Sequence, residues 1–104
     1  MNTTLLPTEQ DVAFYQKNGY WISPKIFSDE ALEEIRKHHA RVIEGEYETG
    51  RTPHYNSHEA GTPLDKMIKI DNAHWSDAVI AKTVLNPIIG KMAALLSGSK
   101  GIRL

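Results

Sequence analysis

Five histidines, His38, His39, His54, His58 and His74, are the chain's main stock of side chains for metal binding or proton transfer. His54 and His58 stand four apart, a spacing that puts two ligands on one face only within a helix. Pro53, Gly50 and Gly61 around them point to a loop instead. His58-Glu59 is not followed by a second histidine at the required position, so the zinc-hydrolase arrangement fails. Three readings of the pair stay open: metal ligation, a lid over a substrate, or a plain exposed loop. His38 and His39 lie in a charged helical pattern and read as surface and boundary residues, while His74-Trp75 reads as part of a helix start. The chain has no cysteine, which removes disulfides, thiolate metal sites and a cysteine nucleophile together and fits a reducing, cytoplasmic setting. No glycine-rich phosphate loop occurs, and spacing assigns no Ser-His-Asp arrangement.

Composition narrows the partners. Twelve Lys and Arg against thirteen Asp and Glu give a formal charge of −1, so no field gathers a phosphate backbone or an anionic membrane. The start, MNTTLLPTEQD, lacks the basic and apolar regions of a signal peptide. No apolar run approaches the roughly 20 residues of a membrane helix. With 104 residues, one small core is the expectation.

These side chains act only where secondary structure holds them. Thr8 and Asp11 have the spacing of a capping box, predicting a helix from about Glu9 to Asn18 that stops at Gly19. Tyr20-Trp21-Ile22 is aromatic and β-branched, as a short strand would be, and Pro24 ends it. Ser28 then caps a second helix, with Phe27 and Leu32 as a hydrophobic staple. Leu32, Ile35, Val42 and the stem of His39 form its apolar stripe, and Gly45 is its stop. Gly45 to Pro63 shows no periodicity and reads as a loop of the length usually tied to function. Lys66 to Asp71 reads as a strand that turns Ile68 and Ile70 to one face and Lys69 to the other. Ser76-Asp77 opens a third helix, stapled by Trp75 and Ile80. Asn86-Pro87 opens a fourth, with Ile88, Ile89, Met92, Leu95 and Leu96 on one face and Gly98 past its end. Ile102-Arg103-Leu104 begins another alternation. Four amphipathic helices with so few strands predict an α+β domain whose sheet lies largely outside this sequence.

The stretch FYQKNGYWISPKIFSDEALEEIRKH resembles the N-terminal signature of the phytanoyl-CoA dioxygenase family: a helix, N-G-Y before an apolar strand, then a serine-acid helix start. MIKIDNAHWSD, VLNPIIGKMAALLSG and KGIRL are similar to the family's next strand, its N-P-initiated helix and the lead into its barrel. The resemblance covers about residues 8–104. It implies an N-terminal part of a domain whose helices and first strands flank a double-stranded β-helix, or jelly-roll, core. It also implies a non-haem oxygenase that uses Fe(II) and 2-oxoglutarate to hydroxylate a small organic substrate. Such iron needs two histidines and one carboxylate, the first pair as His-x-Asp or His-x-Glu. Two places after the five histidines stand Ala40, Arg41, Asn56, Ala60 and Ser76, so no metal ligand is expected within 1–104 and the chain by itself is expected to be inactive. Lys69 is the one residue the resemblance assigns to a cofactor, as the ammonium that meets a 2-oxoglutarate carboxylate. A self-contained, mostly helical binding or regulatory module is the alternative, and a relative that has lost its metal and persists as a scaffold is a third reading.

Overall fold

The computed structural model describes residues 5–103; the expected alternation at the C-terminus runs to Leu104, outside them. Contacts divide the chain into two compact units, one from residues 5–28 with 85–103 and the other from Asp29–Val84.

In the first unit, α1 (Glu9–Asn18) starts on the expected capping box. The Asp11 amide donates to Thr8 Oγ1 at 3.1 Å, and the Thr8 amide donates back to Asp11 Oδ2 at 2.8 Å. That bond from the Thr8 amide, against an opposing effect of burial, holds the Asp11 carboxyl below its ordinary value. Gly19 ends the helix at φ 80°, a left-handed conformation that costs a residue with a Cβ about 1–2 kcal/mol. The last helix of the chain belongs to this unit and covers Pro87–Ser97. Asn86 Oδ1 accepts from the Ile88 amide at 3.0 Å and Pro87 occupies the first turn, where its missing N–H costs nothing. Its buried side chains are Ile88 and Met92, whereas Leu95 is substantially exposed. Gln16 Nε2 donates to Leu96 O at 2.8 Å, tying the two helices.

Residues 20–22 form no ladder. Their order comes from side chains instead: Phe14 meets Tyr20 edge to face at 5.2 Å, and Ile22 stands 82% exposed. The expected strand is therefore an unpaired segment, with Tyr20 and Ile22 exposed and Trp21 half-buried.

The second unit is built on α2 (Asp29–Ile43). Its inward stripe is Ala31, Ile35, His38 and Val42, one position out of phase with the expected Leu32 and His39, both of which are exposed. The helix closes as a Schellman motif: Glu46 N donates to Arg41 O at 2.8 Å and Gly45 N to Val42 O at 3.1 Å, with Gly45 at φ 82°. Beyond it, β1 (Tyr55–Asn56) pairs antiparallel with β2 (Ile70–Asp71), Tyr55 opposite Asp71 and Asn56 opposite Ile70. Bonds from His54 N to Asp71 O and from Ser57 N to Lys69 O, each 2.9 Å, extend the ladder by one step at either end. The expected strand over 66–71 thus shrinks to its last residues, because no neighbouring backbone lies along Lys66–Ile68 and Met67 is 96% exposed.

Asn72, left-handed at φ 62°, turns the chain into a 3-10 turn over Ala73–Trp75. The third helix, α3 (Ala78–Val84), follows, and Pro87–Ser97 is designated α4. By length and composition alone, Ala78–Ser97 is apolar enough to cross a membrane, with a mean hydropathy of 1.5 over its best window. The stretch is nonetheless interrupted at Leu85–Asn86, where one helix ends and the other is capped afresh.

Candidate functional site

Three side chains from separate parts of the second unit converge where α3 begins. Asp77, fully buried, is the N-cap of α3: its Oδ1 accepts from the amides of Val79 and Ile80 at 2.9 and 3.1 Å. Glu48 comes from the segment after α2, and its Oε1 accepts from the Ala78 amide at 3.0 Å. Each carboxylate is thus oriented by one oxygen, and the other oxygen is turned toward His38 on α2. His38 Nδ1 lies 2.8 Å from Asp77 Oδ2 and 3.7 Å from Glu48 Oε2.

The electrostatics follow from that arrangement. Burial alone would raise the Asp77 carboxyl, yet the bond from His38, the amides of Ile80 and Val79 and the histidine's charge outweigh it, and the carboxyl lies below its ordinary value. An ionised carboxylate is an acceptor only, so Nδ1–H is the donor. The nearby backbone is fixed by Thr49, whose hydroxyl donates to Trp75 O at 2.6 Å and whose amide donates to Ser76 O at 3.2 Å. Ser76 Oγ, one residue from the cap, is buried without a hydrogen-bond partner.

A second cluster shapes the 45–63 loop. Asn56 Nδ2 donates to Val42 O, which also accepts from Gly45 N, and to Ile43 O, at 3.3 and 3.2 Å, while Asn56 Oδ1 accepts from His58 N at 2.9 Å. His58 Nε2 meets Glu44 Oε1 at 3.1 Å, and Gly61 N donates to Glu44 Oε2 at 2.9 Å. The Gly61 amide is the main reason the Glu44 carboxyl lies below its ordinary value, with burial opposing and His58 assisting. Beside this cluster an open cavity of about 370 Å³ is lined by Ser57, His58, Thr62, Lys66 and Ile68 among others.

The structure separates His54 from His58. His58 is buried against Glu44, whereas His54 faces Trp75 edge-on with ring centroids 6.3 Å apart. His74 also lies against Trp75, at 6.1 Å, and Arg51 Cζ sits 4.0 Å over the indole, a cation–π contact. Lys69 is exposed, its Nζ 3.5 Å from Asp71 Oδ2, and its backbone amide donates to Ser57 Oγ at 2.8 Å. His39 is exposed on α2.

Sequence reasoning did not group His38, Glu48 and Asp77. The available signal was the Ser76-Asp77 helix start together with a histidine on the apolar stripe of α2, visible only once the stripe is phased on Ala31 and Ile35. No protein-family model, curated protein or solved structure matches the chain.

Proposed function

We propose that this chain forms the helical flank and first strands of an Fe(II)/2-oxoglutarate-dependent oxygenase domain of the phytanoyl-CoA dioxygenase type. In this reading, Lys69 supplies the ammonium that meets a carboxylate of 2-oxoglutarate. The resemblance from α1 through α4 motivates it, and one observation carries it. Large apolar side chains stand open in both units, Ile22 at 82%, Leu64 at 64%, Met67 at 96% and Leu85 at 60%, while Val42, Ile88 and Met92 are the buried aliphatic side chains among the described residues. Covering a side chain of that size is worth roughly 1.5–3 kcal/mol, so these elements gain most of their stabilisation against a further apolar surface, such as a jelly-roll barrel.

The described residues do not fit the iron of such an enzyme. Their one compact ligand group has a single histidine with two carboxylates, in place of two histidines with one carboxylate, so no step of the reaction is derived from this chain. Its contribution is positional: β2 with the residues before it presents Lys69, and the weak exposed pair with Asp71 leaves the ammonium free to turn to an anion.

The test is iron-dependent succinate formation from 2-oxoglutarate by the protein translated from the complete reading frame. Lys69→Ala should raise the KM for 2-oxoglutarate about tenfold with little change in kcat. Absence of succinate in the complete protein refutes the oxygenase reading, and an unchanged KM refutes the role of Lys69. The second reading, a binding or regulatory module, is favoured by a different observation. α1 and α4 carry both caps locally, α2 its C-terminal closure and α3 its N-cap, which suits elements that stand without a barrel. A cooperative unfolding transition of the 104-residue chain with a normal m-value supports that module, and a molten response supports the flank.

A further inference from the structure

We infer that His38, Glu48 and Asp77 form a binding site for one first-row divalent cation, of which zinc is the natural probe. The site goes beyond the oxygenase reading and stands whether or not that reading holds. One ligand atom from each residue lies within 4.8 Å of the other two, a nitrogen with two carboxylate oxygens. Around a metal with bonds of about 2.0–2.1 Å, neighbouring ligand atoms are about 2.9–3.4 Å apart, depending on whether the geometry is octahedral or tetrahedral. The observed separations from His38 Nδ1, 2.8 Å to Asp77 and 3.7 Å to Glu48, bracket that range. Asp77 and His38 are held inside the unit and need little movement, while the Glu48 side chain, 44% exposed, is free to close the remaining gap.

Two features make this more than a chance meeting of charges. Each carboxylate already spends one oxygen on amides of α3, Val79 and Ile80 for Asp77 and Ala78 for Glu48, which aims the other oxygen at His38. Metal sites are organised in the same way, with outer hydrogen bonds fixing the first ligands. Charge is the second feature. Two carboxylates, one of them fully buried, face one imidazole whose Nδ1–H bonds only Asp77, so an imidazolium leaves the group at a net −1 and a divalent cation on a neutral imidazole brings it to zero. On binding, the metal takes the Nδ1 lone pair; the proton now there moves to Nε2 or, from an imidazolium, leaves to solvent. Imidazole among the ligands favours zinc, manganese or cobalt over magnesium and calcium, and water fills the remaining positions.

Titration of the 104-residue chain with zinc chloride, followed by calorimetry and by thermal unfolding, decides the matter. One zinc per chain and a raised Tm are expected, with no comparable effect of magnesium. His38→Ala should weaken zinc binding at least tenfold, and Glu48→Gln, whose amide oxygen still accepts from Ala78, should weaken it severalfold with the far-UV circular dichroism unchanged. His54→Ala should bind as the parent does. The inference is overturned by the lack of saturable one-to-one binding, by zinc affinity that survives Glu48→Gln intact, or by loss of binding in His54→Ala, which would place the metal at the Trp75 surface instead.

Discussion

Replacing Asp77 by alanine removes three interactions at once, the two amide bonds that cap α3 and the bond from His38. Loss of an acidic N-cap costs about 0.5–2 kcal/mol. Stranding the largely buried His38 Nδ1–H adds about 1–3 kcal/mol, since Glu48 at 3.7 Å is too distant to take over the bond. Together they give about 1.5–5 kcal/mol, a large share of the stability of a small domain. Asp77→Asn separates the two parts, because asparagine caps a helix about as well as aspartate yet presents no charge to His38. Urea denaturation followed by tryptophan fluorescence suits the measurement, as Trp75 adjoins the cap in sequence and the segment bonded to it. With m near ~2 kcal/mol/M, the alanine variant should lower the midpoint by roughly 0.8–2.5 M and the asparagine variant by less. A double-mutant cycle with His38→Ala isolates the pair and should give a coupling of about 1–3 kcal/mol. A coupling below about 0.5 kcal/mol would refute the view that His38 and Asp77 act as a unit joining α2 to α3.

The Asp77 and Glu44 carboxyls both lie below their ordinary values of 3.8 and 4.5. Their contribution is therefore complete above those values and lost as pH falls through the depressed ones, so urea midpoints should drop below about pH 4. Asn56→Ala removes the side-chain donor to two carbonyls at the end of α2, of which Val42 O keeps the Gly45 amide, and the acceptor for His58 N; a destabilisation of about 1–3 kcal/mol is expected by the same denaturation assay. Lys69→Ala should change stability by less than about 0.5 kcal/mol, because its pair with Asp71 is exposed, which frees that variant to report on 2-oxoglutarate alone.

The features legible in the sequence are those whose signals lie within one turn of chain. Thr8 with Asp11, Gly19, Gly45, Asn86-Pro87 and Gly98 each do the job their spacing predicts, since a cap bonds to backbone only two to five residues away. The α2 stripe was misphased because Ala31 carries a weak hydrophobic signal and Leu32 a strong one, although the smaller residue faces inward. Ile35 and Val42 belong to both faces, so the stripe turns by only about half of the roughly 100° between successive residues, yet that exchanges His39 for His38 and so hides the candidate site. Residues 66–68 alternate like a strand, but alternation specifies a face and not a neighbour, and no backbone pairs with them. The 45–63 loop looked structureless because its order depends on Asn56 and Glu44 meeting partners across the loop, which no local pattern announces.

Asn56 joins two elements that are otherwise distinct in kind. One side chain covers the end of α2, and its own backbone belongs to β1, so the last helical turn and the small sheet form one opening unit. Fraying of α2 would release Asn56, and release of Asn56 would leave a ladder of two residues per strand, too short to persist alone. The segment around His58 and the adjoining cavity would then open with it in a single event. The residues that line the cavity beside His58 are thus tied to the final turn of a helix, through Asn56 as well as through Glu44.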